Sequence, residues 1–506
     1  VPVCILAHTI KGWTLGDGFE ASNVTHQMKK LDAGQLKTLR DRLELPITDD
    51  KVEEAAYFHP GKDSPELEYL RARREALGGP LPARRKLQVS LAAPQDKAFS
   101  EFFTGSKAGV EASTTMAFVR MLRNLLRDKG IGKHVVPIVP DEARTFGMDP
   151  FFREFGIYAA HGQKYVPVDA EMLLNYHESQ QGQLLEEGIT EAGAMASFLA
   201  AATAHSTHGK MMVPFYIFYS MFGLQRTGDQ VWSVGDARGR GFLLGATAGR
   251  TTLHGEGLQH DDGHSHLFAQ AIPNLLAYDP AFAYETAVIV RDGLRRMIEK
   301  NEDVFYYITL YNENYVMPAM PEGAEEGIVK GLYRFAAAPK AKHAAQLLAS
   351  GPMMNLAMEA QKILASDYDV AATVWSATSY QQLYRDARHV ERRNRLRPDK
   401  KPDIPYVTAT LAKSPGPVVA VSDWVQEIPS LISRFVPGRF LPLGTNGFGR
   451  SDTREALRRH FEVDTASMVV TVLAGLAQEG TVPAKTVLEA MKKLDVNPDA
   501  ADPIGI

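Results

Sequence analysis

Short runs that are apolar at nearly every position constrain this chain most. Val135-Val136-Pro137-Ile138-Val139, Val213–Tyr219 and Val304–Tyr311 leave almost no polar face, so each must be covered on both sides. Segments of helical spacing lie between them. Ser113 or Thr114 caps a helix in which Met116, Val119, Met121, Leu122, Leu125 and Leu126 recur, and further helices fall at Glu191–Ala204 and Tyr284–Glu299. Such alternation predicts an α/β fold, a mainly parallel sheet with helices on both faces.

A second α/β unit starts near residue 340. Its strands are expected at Gln346–Ala349, Val370–Trp375 and Val418–Val421, and its helices at Asn355–Ala365, Val425–Phe435, Asp452–Phe461, Ala466–Gln478 and Ala484–Leu494. Ser451 and Asp464 are candidate caps. Upstream, residues 12–90 are polar, with Lys29-Lys30 and Arg71-Ala72-Arg73-Arg74 expected on helices and Gly78-Gly79-Pro80-Leu81-Pro82 as a linker. The division is therefore 1–90, 91–330 and 331–506. Val1-Pro2-Val3-Cys4-Ile5-Leu6-Ala7 reads as another buried parallel strand. Residues 1–90 offer few strands to pair with it, which predicts that the chain is a piece of a longer protein.

Lys plus Arg total 56 against 60 Asp plus Glu across 506 residues, a formal charge of −4, so no basic bias marks a nucleic-acid partner. The single cysteine, Cys4, excludes a disulfide framework or a multi-cysteine metal site and fits a reducing compartment. No run approaches a membrane-spanning length of about 18 apolar residues. The expectation is a soluble, cytoplasmic protein without a membrane partner.

Three polar clusters carry candidate chemistry. His260-Asp261-Asp262-Gly263-His264-Ser265-His266 offers imidazoles and carboxylates that suit a metal ion, a catalytic histidine on a loop, or an ordinary turn. Asp141-Glu142 follows the strand ending at Val139, where parallel sheets place ligands; an Arg144 ion pair on a solvated loop is the alternative. Glu191 begins a small-residue helix with Phe198 and Leu199. If buried there, its carboxylate is poorly hydrated, which raises a carboxyl pKa, and it is then paired or functional; exposure at the helix start is the alternative. Gly239-Arg240-Gly241 with Gly245 has the wrong final spacing for a dinucleotide fingerprint, and Gly245–Gly249 lacks the P-loop lysine. Gly16-Asp17-Gly18 with Asn23 is too short for a thiamine-diphosphate metal motif.

The segments ILAHTIKG (5–12), NVTHQMKK (23–30), DEARTFGM (141–148), EGITEAGA (187–194), PFYIFYSMFGLQR (214–226), GRTTLHGEGLQHDDGHSH (249–266), NENYVMPAMPEGAEEGI (312–328) and GTNGFGRSD (444–452) together resemble one family: the homodimeric, bacterial-type pyruvate dehydrogenase, the thiamine-diphosphate-dependent decarboxylating component of its complex. The resemblance covers essentially the whole chain. It implies a transketolase-like fold: the tail of a diphosphate-binding domain (1–90), a pyrimidine-binding domain (91–330) and a C-terminal transketolase-like domain (331–506). The motif that holds magnesium on the diphosphate is expected upstream of Val1, so no metal ligand is assigned in this chain.

The resemblance also implies site roles. Glu191 matches the acid that bonds the aminopyrimidine nitrogen. Ile189, Tyr219, Phe222 and Arg226 match the pyrimidine pocket, and Lys11 a lysine reaching the diphosphate. His260 matches a histidine facing the reacting carbon, which favours catalysis over metal for its cluster, and His26 one that assists acetyl transfer. Asp141, Glu142 and Tyr219 match polar groups around the substrate. Residues 20–32 and 161–177 match loops that order over bound intermediate. The implied reaction is oxidative decarboxylation of pyruvate with reductive acetylation of a lipoyl group on dihydrolipoyl acetyltransferase, in a homodimer. The alternatives are a non-catalytic fragment, or a related 2-oxoacid decarboxylase or transketolase.

Overall fold

The computed structural model describes residues 3–81, 91–141, 143–168, 170 and 176–505. The chain divides into two units, Val1–Arg84 and Arg85–Ile506.

In the first unit Asp32 accepts from the Gln35 N–H at 2.9 Å and its own N–H donates to the Gln35 side chain at 2.8 Å, a reciprocal cap that starts α1 (Ala33–Arg42). Ser64 caps α2 (Pro65–Ala76), where Pro65 occupies a first-turn position that needs no N–H donor. Arg71–Arg74 lie on α2 as expected, but Lys29 and Lys30 do not lie on a helix; they precede the Asp32 cap, which sets where α1 starts. The strand expected over Val1–Ala7 is also absent from the described residues. Val3, Ile5 and Leu6 are exposed in irregular chain. An apolar run becomes a strand only with ladder partners for its backbone, and the described residues of this unit form none.

The second unit contains a six-stranded parallel sheet: β1 (Val135–Val139), β2 (Leu185–Glu186), β3 (Val213–Tyr219), β4 (Phe242–Ala246), β5 (Leu275–Tyr278) and β6 (Phe305–Thr309). Their order is β2-β1-β3-β4-β6-β5. Helices α3 (Thr114–Leu126, capped by Ser113), α4 (Glu191–Ala202), α5 (Gly223–Asp236) and α6 (Ala283–Leu294) accompany it. Past Leu294 the expected helix continues as a π-helical turn, Arg295–Glu299.

A five-stranded sheet follows: β7 (Tyr333–Ala336), β8 (His343–Ala349), β9 (Val370–Ser376), β10 (Val418–Val421) and β11 (Phe440–Leu443), ordered β7-β9-β8-β10-β11. Only the β7–β9 pairing is antiparallel. Its helices are α7 (Met353–Tyr368), α8 (Tyr380–Leu396), α9 (Arg454–His460), α10 (Thr465–Gln478) and α11 (Ala484–Lys493). The helix expected at Val425–Phe435 is two short turns, Glu427–Ser430 and Ser433–Phe435, because Pro429 removes a backbone donor. Asp464 caps α10 as expected, whereas α9 is capped by Thr453 rather than Ser451. The stretch Arg454–Gln478 is apolar and long enough by composition to cross a membrane, but it is two helices broken between His460 and Thr465, and most of α10 is buried.

Buried polar contacts join the two sheets. Asp279, just past β5, accepts from Thr309 at 2.6 Å, from Ser350 at 2.6 Å, from the Trp424 indole N–H at 2.9 Å, and from Tyr311. Glu285 on α6 accepts from Tyr333 and Ser376, each at 2.6 Å, and burial raises its carboxyl above the usual range.

Candidate functional site

Strands β2, β1, β3 and β4 are consecutive neighbours, so the loops leaving their carboxyl ends start side by side. The chain steps from β1 to one side for β2 and to the other for β3, the arrangement that opens a ligand crevice in α/β sheets. Asp141 follows β1 and Glu191 follows β2. Tyr219 ends β3, with Phe222 and Arg226 just beyond, and His260 follows β4.

Glu191 is the first residue of α4, whose Thr190 cap accepts from the Gly193 N–H at 3.1 Å. A carboxylate at that position faces the positive end of the helix. Its side chain is 12% exposed, and the Arg226 guanidinium donates to Oε1 at 3.0 Å. Arg226 stands one turn into α5. That helix can start where it does because residue 223 is glycine: a Cβ there would fall 1.9 Å from the Phe218 ring. The same guanidinium lies 4.0 Å from the Phe222 ring centroid. Phe222 meets the His260 ring nearly edge-on at 5.1 Å, Tyr219 is 5.7 Å from His260, and Phe146 is 5.4 Å from Tyr219.

His260 ends a short turn, Leu258–His260. Its Nδ1 is buried and 3.6 Å from the Glu256 carboxylate, too far for a hydrogen bond, and it has no partner among the described residues. The three imidazoles of its cluster diverge. His264 Nε2 meets Gln225 at 2.7 Å, while His266 is buried against Trp424 and Thr309, and that burial pulls its pKa down. Among the described residues no three His, Cys, Asp or Glu side chains are placed to hold a metal. The geometry thus sets an ion-paired carboxylate and an imidazole at two ends of an aromatic wall.

Residues 90–318 match the pyruvate dehydrogenase E1 component middle domain, and residues 331–464 the transketolase-like C-terminal domain. Over 507 aligned residues the chain is 51% identical to the pyruvate dehydrogenase E1 component of Cupriavidus necator, covering 100% of this chain and 57% of that protein. The chain belongs to the pyruvate dehydrogenase E1 family. The E1 component of Pseudomonas aeruginosa is 50% identical, with 99% of this chain and 57% of the relative covered. The chain spans little more than half the length of these relatives. Transketolases share the fold: the structure from Campylobacter jejuni has a TM-score of 0.61 at 16% identity, over 92% of this chain and 62% of its own. That from Leishmania mexicana has 0.54 at 18%, over 90% and 57%.

Within this E1-family chain the sequence-derived residues are not all brought together. Glu191, Arg226, Phe222, Tyr219 and His260 converge, while Ile189 is 79% exposed on the loop before α4. Glu142 lies outside the described residues, as do residues 169 and 171–175 of the second expected loop. Lys11 and His26 belong to the first unit, where the Lys11 ammonium donates to His26 Nδ1 at 2.7 Å. An ammonium only donates, so Nδ1 accepts and a neutral His26 carries its proton on Nε2.

Phe146, Glu256 and Glu186 received no individual role from the sequence. Burial, and secondarily the charge of Asp141, raises the Glu186 carboxyl above its usual range. Glu186 pairs with Val139 at the end of β1, a neighbourhood set by strand order and not by spacing.

Proposed function

We propose that the protein carrying this chain performs thiamine-diphosphate- and magnesium-dependent oxidative decarboxylation of pyruvate and reductively acetylates a lipoyl group on dihydrolipoyl acetyltransferase, as a cytoplasmic homodimer. The observation that carries the reading is the convergence of Glu191, Arg226, Phe222, Tyr219 and His260 on one edge of a parallel sheet. These residues suit the aminopyrimidine end of the cofactor: a carboxylate of fixed orientation, an aromatic wall, and a buried ring nitrogen, His260 Nδ1, without a partner. The described residues contain no ligand set for magnesium, and no step is assigned to it.

When bound, thiamine diphosphate supplies the electron sink for decarboxylation. The Glu191 carboxylate would share a proton with the aminopyrimidine nitrogen through a charge-assisted hydrogen bond. Arg226 keeps that carboxylate aimed, and Phe222 and Tyr219 exclude water. His260 faces the substrate, and Asp141 and Glu142 supply polar groups around it. Lys11 offers a positive charge for diphosphate, and His26 assists acetyl transfer.

Glu191→Gln in the full-length protein is expected to slow pyruvate decarboxylation by roughly 10²–10⁴-fold. An unchanged rate overturns the role of Glu191, and a preference for 2-oxoglutarate over pyruvate overturns the substrate.

A further inference from the structure

Among the described residues His260 makes ring contacts but no side-chain hydrogen bond, so its place is inherited from the backbone that carries it. That backbone, the segment from Gly249 to Ser265, is fastened to the five-stranded sheet. Asp423, two residues past β10, is fully buried. Its carboxylate accepts from the Thr251 N–H and hydroxyl, both at 2.8 Å, and from the Thr252 N–H at 3.1 Å and hydroxyl at 2.6 Å. Gly249 lies at φ +90°, and a Cβ there would come 2.2 Å from Asp423 Oδ2, so the approach requires glycine. At the other end of the segment the Val425 N–H donates to Gly263 O at 2.7 Å.

The stretch 444–454 closes over the middle. The Ser451 hydroxyl donates to Glu256 O at 2.6 Å and Arg454 to Thr252 O at 2.6 Å, while the buried Arg250 guanidinium donates to Thr445 O at 2.5 Å and Gly447 O at 2.6 Å. A carboxylate that collects four donors from two consecutive residues fixes both their backbone and their side chains.

We propose that Asp423 is a positioning residue for the reaction, locking Thr251 and Thr252 so that His260 stays against Phe222 and Tyr219. The proposal rests on the role given to His260 above. It makes the C-terminal domain part of the active-site scaffold.

The test uses the full-length protein with its cofactor. Thr251→Val with Thr252→Val removes both hydroxyl donors at nearly constant volume, whereas Thr251→Ser with Thr252→Ser keeps them. The valine pair is expected to lower kcat for pyruvate by about 10–100-fold, the scale of a misplaced catalytic group. It should leave KM for thiamine diphosphate unchanged and speed amide hydrogen exchange across residues 253–263. The serine pair is expected to restore both kcat and protection, and Asp423→Asn to behave as the valine pair does. Wild-type kcat and exchange in the valine pair overturn the proposal, as does an equal kcat loss in the serine pair. A wild-type protein that does not decarboxylate pyruvate sinks the functional reading instead, while the exchange comparison still judges the anchoring.

Discussion

Asp261 follows His260 in the chain and is buried, with its Oδ2 lacking a partner among the described residues. Burial, and next the charge of Asp423, holds its carboxyl up to about 7; Arg250 and the Arg450 N–H act in the opposite sense. An aspartate in unfolded chain titrates near 3.9. Between about pH 4 and pH 7 the folded protein therefore keeps a proton that the unfolded chain has released, so this group's contribution to stability falls as pH rises through that window. Asp261→Asn is expected to gain on the order of 2 kcal/mol over the parent at about pH 8 and nothing near pH 4. Denaturant midpoints at the two pH values check this, and an equal gain at both contradicts it. The Arg226–Glu191 pair is of another kind. With Arg226 51% exposed, the pair is worth less than about 1 kcal/mol of stability, so its importance lies in aiming the carboxylate.

At the scale of elements, α5 shows how close packing delivers site residues. Gly223→Ala drives a methyl into the Phe218 ring, which costs about 1–3 kcal/mol and shifts the neighbouring Phe222 and Arg226. Turnover is expected to drop further than the melting temperature alone accounts for, measurable by steady-state kinetics beside thermal unfolding.

What the sequence made legible follows from the same physics. Val213–Tyr219 and Val418–Val421 were readable to the residue because uninterrupted apolar runs admit one environment. β4 was not, since Gly245 and the preceding Gly239-Arg240-Gly241 look like loop. α8 was missed although Tyr380, Leu383, Ala387 and Val390 recur at helical spacing, because its other positions are densely charged. Val3–Ala7 misled in the opposite direction, for composition does not supply a ladder partner. Glu191 and His260 stood out within dense polar clusters, Glu191 at the start of an expected helix and His260 beside further imidazoles and carboxylates. Phe146 did not, because its meeting with Tyr219 depends on strand order rather than on spacing, and Glu256 did not, because a separation of four residues in a loop does not by itself fix a contact with His260.

The whole second unit depends on the joint between its sheets. Asp279→Ala removes the acceptor shared by Thr309, Tyr311, Ser350 and Trp424, leaving buried donors unpaired. A loss of about 3–5 kcal/mol is expected, and calorimetry is expected to resolve two transitions if this joint couples the sheets; one transition at the parent temperature contradicts it.

The shared edge of β2, β1, β3 and β4 has a consequence for engineering. Every loop of this sheet that brings a candidate reactive group leaves from the carboxyl ends, so its amino-end connections carry none of that burden. The exposed turn at Lys129-Gly130, just ahead of β1, is such a connection. Epitope tags, reporter domains or a new break in the chain belong there, where the architecture separates what builds the open sheet from what performs the reaction.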